Sequence, residues 1–190
     1  MQFPKLLLAS KSPRRKEILT LAGFDFEVVN IEADEDFPSN LHRAAIAEFL
    51  AKHKAEHYNH PLEQSILVTA DTIVCIDQVV LNKPSSEQEA FEMLSLLSGK
   101  THTVYTGVCL KSETHTHVFH DATEVTFYEL TSEEITSYIK NCRPFDKAGS
   151  YGIQDWMGYV GVKQINGCYF NVMGFPSAKF YRELQQFLAQ

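Results

Sequence analysis

Leu6-Leu7-Leu8-Ala9-Ser10-Lys11-Ser12-Pro13-Arg14-Arg15-Lys16-Glu17-Ile18-Leu19 passes from an apolar run into a helix opening across a few polar residues. Leu6 to Ala9 reads as a buried strand. Ser12 suits a helix N-cap, and Pro13 suits the first helical position, where its missing N–H has no partner to lose. That helix should end near Gly23. A strand feeding directly into a helix is the elementary step of an α/β fold.

The same junction concentrates Lys11, Arg14, Arg15 and Lys16 in an otherwise acidic chain. Unpaired N–H groups and the positive end of the helix dipole favour an anion there, and arginine offers planar donor forks to phosphate oxygens. Ser10 and Ser12 add hydroxyls. The glycines of a Walker A loop are missing, which excludes that motif. The other reading is a basic first turn on a solvated surface, although basic residues are unfavourable at a helix N-terminus unless an anion compensates.

Beyond this junction, Phe26 to Val29 forms a short strand before the acidic loop Glu32-Ala33-Asp34-Glu35-Asp36. Leu41, Ala45 and Phe49, with Ile46 and Leu50, place an apolar stripe on a second helix that carries Lys52 and Lys54 near its far end. Ile66 to Val74 is almost continuously strand-like, with Asp71 inside it, and a hairpin through Asp77-Gln78 leads to Val79-Val80-Leu81. Ser86 with Glu89 marks a capping box, and Ala90, Leu94 and Leu97 carry a helix to Ser98-Gly99. Thr101 to Lys111 and Val118 to Leu130 read as long antiparallel strands around a turn near Glu113. Thr131 and Glu134 open a helix whose Ile135, Tyr138, Ile139 and Cys142 face inward. Arg143 to Tyr159 has no periodicity and reads as a functional loop. Two short strands flank Asn166-Gly167 as a hairpin, and a helix after Pro176 puts Phe180, Leu184, Phe187 and Leu188 on one side. The order predicts a single α/β domain over residues 1–190 with a mixed sheet.

Composition narrows the function classes. The 190 residues are 44% hydrophobic, the content of a packed globule. Lys plus Arg total 17 against 24 Asp plus Glu, a formal charge of −7. Such a field repels polyanions, so a nucleic-acid polymer is not the expected partner, and any phosphate must meet a local cluster. No apolar run approaches the ~20 residues of a membrane span, and Met-Gln-Phe-Pro-Lys with its strand-length apolar sequel does not read as a signal peptide. The expectation is a cytoplasmic protein without membrane partners. Cys75, Cys109, Cys142 and Cys168 form no Cys-x-x-Cys pair, which fits reduced thiols, most of them in the core.

Asp71 is a carboxylate inside a strand-like run, with Asp34, Glu35 and Asp36 available from the acidic loop. Carboxylates gathered beside bound phosphates hold Mg²⁺ or Mn²⁺ through a few protein oxygens plus substrate and water. Alternatively, Asp71 is a turn or capping residue and the acidic loop a solvated charge run. Lys54 and Lys83 could complete a cationic lining. His53 with His57, and His115 with His117 and His120, lack the partners of a zinc motif and read as exposed histidines.

Taken together, these residues resemble the Maf family of nucleoside triphosphate pyrophosphatases. The resemblance rests on Leu8 to Leu19, Asp34-Glu35, Lys54-Ala55, Ala70-Asp71-Thr72-Ile73-Val74, Lys83-Pro84, Leu97-Ser98-Gly99 with His102, Thr106-Gly107-Val108, Asp146 to Gln154 and Val172 to Pro176. These segments follow the family's order and span essentially the whole chain.

The resemblance implies an elongated mixed β-sheet flanked by helices, similar to inosine triphosphate pyrophosphatases, with two lobes and a central cleft. It implies hydrolysis of a nucleoside triphosphate to monophosphate and pyrophosphate, with a divalent metal and a homodimer. By position, Asp71 matches the proton acceptor, Glu35 and Asp71 the metal-associated carboxylates, and Ser10, Arg15, Lys54 and Lys83 the phosphate contacts. Arg14, Thr72 and Gln154 match positions linked to base specificity. The Asp-Lys-Ala-Gly-Ser-Tyr-Gly-Ile-Gln stretch resembles the dTTP/UTP branch. Competing readings are a pyrophosphatase for another or modified nucleotide such as 7-methyl-GTP, or a nucleotide-binding regulator of cell division and septum formation. Lys11, Asn82, Phe175 and the Asp155-Trp156-Met157-Gly158 loop depart from the usual family pattern.

Overall fold

The computed structural model describes residues 4–189. Met1 to Phe3, where the segment read as lacking a signal peptide begins, and Gln190 lie outside the described residues. Among the described residues, no helix is long and apolar enough to cross a membrane.

Among the described residues, seven strands form one mixed sheet in the order β2-β1-β3-β5-β6-β7, with β4 beside β3. They are β1 (Leu6–Leu8), β2 (Phe26–Val28), β3 (Ile66–Ile76), β4 (Val79–Leu81), β5 (Thr101–Lys111), β6 (Thr116–Phe127) and β7 (Val162–Asn166). β1 runs parallel to β2 and β3, pairing Leu6 with Phe26 and with Ile66, whereas β4 is antiparallel to β3 and β7 to β6. The helices are α1 (Pro13–Leu21), α2 (Ala44–Glu56), α3 (Glu87–Leu97), α4 (Ser132–Cys142), the short α5 (Trp156–Val160) and α6 (Tyr169–Met173), and α7 (Ser177–Leu188).

The chain divides into two compact units. The first comprises the residues up to Asp71, Thr106–Asp121 and those from Gly174 on; the second comprises Thr72–Tyr105 and Ala122–Met173. Strands β3, β5 and β6 contribute residues to both.

In the first unit Leu6, Leu7 and Leu8 are all buried, the mark of a parallel strand covered on both faces. Leu7 and Leu67 share a cluster with Ala51, Ala55, Leu62 and Cys109. The Phe180 ring of α7 lies 5.1 Å from Phe24 and 4.8 Å from Phe175. The buried face of α2 differs from the expected stripe. It consists of Ile46, Ala47, Leu50, Ala51 and Ala55, while Ala45 is exposed and Leu41 precedes the helix. The cause is close approach: a Cβ on Gly107 of β5 would fall 2.2 Å from the Ala47 carbonyl oxygen. Small residues let the two backbones meet, and Phe49 is turned aside to stack on His53.

In the second unit α3 opens on Ser86, whose hydroxyl accepts from the Glu89 N–H at 3.1 Å. The Glu89 carboxylate reaches Ser85 instead of Ser86, so only half of the expected capping box forms. At α4 the box is complete, with Thr131 and Glu134 exchanging both bonds. Cys142 is half-buried and Leu188 is 45% exposed, so neither belongs to the core as expected. The expected loop over Arg143 to Tyr159 contains a 3-10 turn at Ala148–Ser150 and the helix α5.

The hairpin at Asn166-Gly167 does not form. Gly167 adopts a positive φ of 135°, but the Cys168 N–H then donates to the Thr123 hydroxyl at 3.0 Å. The N–H groups of Asn171 and Val172 turn back to the Cys168 carbonyl, and α6 begins. A long-range hydroxyl partner diverts the chain from the local turn preference.

Candidate active site

Register brings Lys54 to Asp71. The buried Thr69 hydroxyl on β3 donates to the Ala51 carbonyl of α2 at 2.6 Å. Asp71 follows two residues later on the same strand face, and Lys54 lies one helical turn beyond Ala51. The Lys54 ammonium donates to Asp71 Oδ1, and also to Glu35 Oε1 of the acidic loop at 3.2 Å. The side chains of Asp71, Lys54 and Glu35 are 10%, 18% and 47% exposed, so the group runs from the interior toward solvent. One rung further along the loop, Asp34 Oδ1 lies 3.3 Å from His53 Nε2.

The β1–α1 junction supplies the other cations. Ser10 Oγ accepts from the Ser12 N–H and from Arg15 Nη1, each at 3.2 Å, and Arg15 Nε donates to the Gly174 carbonyl at 2.8 Å. Ser12 occupies the N-cap position but makes no side-chain cap bond; Ser10 organises the turn. The first turn of α1 contains no acidic residue. Burial lowers the Arg15 pKa from its ordinary value, Asp71 and Glu35 oppose the shift, and Arg14 adds to it. The guanidinium stays charged, as arginine does in proteins.

Ser10, Arg14, Arg15, Glu35, Lys54 and Asp71 therefore all belong to the first unit, while Thr72, Lys83 and Gln154 belong to the second. Thr72 is the half-buried residue next to Asp71 on β3, and Lys83 is exposed after β4 beside the buried Pro84. Gln154 is half-buried, and its Oε1 is sealed from solvent without a hydrogen-bond partner. By sequence Lys54 is a phosphate contact; its bonds to both carboxylates are visible only in the fold. Lys147, Tyr138 and Asp155, which the sequence motifs give no functional role, enclose the segment leading to Gln154. The signal available there was a pair of opposite charges, Lys147 and Asp155, flanking a glycine-containing stretch.

The histidines near the β5–β6 turn are half-buried, not exposed. His117 Nε2 lies 2.8 Å from Glu183, His120 Nδ1 2.7 Å from Glu48, and the His115 ring 4.1 Å from that of Phe187. Among the described residues, no group of three or more His, Cys, Asp and Glu is placed to hold a metal ion. Asp71 and Glu35, bridged by the Lys54 ammonium, fit a hard divalent ion of the kind that takes one or two carboxylates and fills its remaining positions with phosphate oxygens and water.

A mixed α/β sheet with a lysine shared by two carboxylates, beside an arginine-rich helix start, defines a class of anion-handling α/β proteins. The family model described as "Maf-like protein" matches residues 5–187, and the chain belongs to the Maf family. A dTTP/UTP pyrophosphatase of Phocaeicola vulgatus is 48% identical over 184 residues, covering 96% of this chain and 95% of that protein. A dTTP/UTP pyrophosphatase of Bacillus cytotoxicus is 52% identical over 183 residues, again 96% and 95% of the two chains. The solved structure of a HAM1 protein from Coxiella burnetii matches 66% of this chain and 73% of its own at 12% identity, with a TM-score of 0.44.

Proposed function

We propose that this protein hydrolyses dTTP and UTP between the α and β phosphates, releasing nucleoside monophosphate and pyrophosphate. The observation that carries the reading is the Lys54 ammonium held by Asp71 and Glu35, with Arg15 near enough to feel both carboxylates. Carboxylates and cations arranged together are what phosphoanhydride hydrolysis requires, because its catalysis is mostly positioning and charge neutralisation. The names of the relatives support the substrate pair.

In this reading Asp71 accepts the proton of the water that attacks the α phosphorus. Arg15, Lys54, Lys83 and the Ser10 hydroxyl bind phosphate oxygens and stabilise the departing pyrophosphate. Arg14, Thr72 and Gln154 select the base; the Gln154 amide matches a uracil or thymine carbonyl and N3–H. Asp71 and Glu35 would hold Mg²⁺ or Mn²⁺, which would neutralise further charge on the phosphates. A cytoplasmic homodimer acting on free nucleotides, not on a polymer, completes the proposal. A panel of triphosphates with Mg²⁺ or Mn²⁺, scored for products, tests it. Monophosphate and pyrophosphate from dTTP and UTP are expected. Orthophosphate release would overturn the reaction class, and preference for 7-methyl-GTP would overturn the base assignment.

A further inference from the structure

We propose that Lys147, Tyr138 and Asp155 are positioning residues that hold Gln154 for base selection. The inference rests on the reading of Gln154 as a base-contacting side chain.

Gln154 lies between two closely approached glycines, Gly152 against side chains and Gly158 against backbone. A Cβ on Gly152 would lie 2.5 Å from Asp155 Oδ2 and 2.9 Å from Lys147 Cε. A Cβ on Gly158 would lie 1.7 Å from the Ile153 carbonyl oxygen. Between these glycines the Asp155 N–H donates to the Gly152 carbonyl at 3.1 Å, and the Gly158 N–H to the Asp155 carbonyl at 2.9 Å. Lys147 Nζ stands 3.5 Å from Asp155 Oδ2 and 2.7 Å from Asp146 Oδ1. The Tyr138 hydroxyl, carried by α4, accepts from the Gly152 N–H at 3.1 Å and donates to Asp155 Oδ2 at 3.4 Å.

Asp155 is the N-cap residue of α5, the position where an aspartate ordinarily accepts from its own helix, yet it makes no such bond. Its carboxylate serves Lys147 and Tyr138 instead. The Gln154 Oε1 acceptor, next in the chain to Asp155, lies out of solvent with no protein donor. A buried acceptor without a donor is costly, and turning the side chain outward to meet a ligand N–H would relieve that cost. The N3–H of uracil or thymine is such a donor.

The experiment compares kcat/KM for UTP with that for 3-methyl-UTP, in which N3 carries no proton. Wild-type enzyme should prefer UTP by at least about tenfold, and Gln154→Ala should abolish the preference. Lys147→Met and Tyr138→Phe should each reduce it by about three- to tenfold, mainly through a higher KM for UTP and with a smaller effect on kcat, and Lys147→Arg should restore most of it. Tyr138→Phe keeps the ring and removes only the hydroxyl, so it serves as the second variant if Lys147→Met fails to fold. Unchanged preference in Gln154→Ala would overturn the reading of Gln154. Loss of preference in Gln154→Ala with wild-type preference in folded Lys147→Met or Tyr138→Phe would overturn the positioning role alone.

Discussion

Lys54 on α2 donates a hydrogen bond to Asp71 on β3, and the same ammonium reaches Glu35 at 3.2 Å. One lysine thus bridges both of the carboxylates proposed to hold the metal. In the proposed function, a divalent ion arriving without nucleotide would have to compete with that ammonium, whereas a triphosphate would draw the ammonium toward its own oxygens.

Lys54→Met should therefore act in opposite directions on the two ligands. We expect Mn²⁺ to bind the nucleotide-free variant about tenfold more tightly than wild type, followed by electron paramagnetic resonance, while KM for dTTP rises by about tenfold or more. Equal Mn²⁺ affinity in the two proteins would show that the ammonium does not guard the carboxylates.

Asp71→Asn keeps the shape of the side chain and removes its basicity. Turnover of dTTP should fall by at least about a hundredfold, the usual contribution of a positioned general base. Pyrophosphate release at saturating substrate measures it, and near-wild-type turnover would remove Asp71 from the proton-accepting role.

Gly107→Ala tests the contact between β5 and α2. The new methyl would meet the Ala47 carbonyl oxygen at 2.2 Å and the Glu48 nitrogen at 2.6 Å, both backbone atoms that cannot turn away. A stability loss of about 1–3 kcal/mol is expected from forced overpacking, read by urea denaturation.

Burial lowers the pKa of His102 to about 4, in contact with the Phe127 and Tyr151 rings and bonded through Nε2 to the Tyr151 hydroxyl. Its ordinary value is 6.5. Between these values the unfolded chain binds the proton and the folded protein does not. Stability should thus be intact above about pH 6.5, fall as pH drops toward 4 and level off below, with a contribution of about 3 kcal/mol at most. Denaturation midpoints of His102→Gln across this range should lack that contribution to the slope.

Cys109 is fully buried, and burial raises its thiol pKa to about 12, while Cys75 is also buried and Cys142 and Cys168 are half-buried. In folded protein at pH 8, a thiol reagent should modify Cys142 and Cys168 first, and Cys75 and Cys109 only after unfolding. Mass spectrometry of the modified peptides reads the order directly.

The features legible in the sequence are those whose causes lie within a few residues. Pro13 after Ser12 starts α1, Thr131 with Glu134 caps α4, and the apolar run from Ile66 makes β3. Asp71 stands out for a similar reason, as a charge in a segment otherwise fit for burial. The exceptions show where local signals lose. Asn166-Gly167 favours a hairpin, but the Thr123 hydroxyl captures the Cys168 N–H and a helix follows. Phe49 outranks alanine in hydrophobicity, yet alanines line the buried face of α2 because Gly107 brings two backbones together.

The sequence by itself determined the strand-to-helix order, the caps, the acidic balance and the residue types needed for phosphate chemistry, since propensity, capping and composition act locally or as sums along the chain. Only the tertiary structure decided that Lys54 serves Asp71 and Glu35 together, that Ser10 and Gly174 hold Arg15, and that Lys147 and Tyr138 close the loop around Gln154. Most of those contacts join residues distant in the chain, as Lys54 with Asp71 and Arg15 with Gly174 do. Their geometry follows from strand register, from close backbone approach at glycines and from competition among buried hydrogen-bond partners, none of which a run of neighbouring residues encodes.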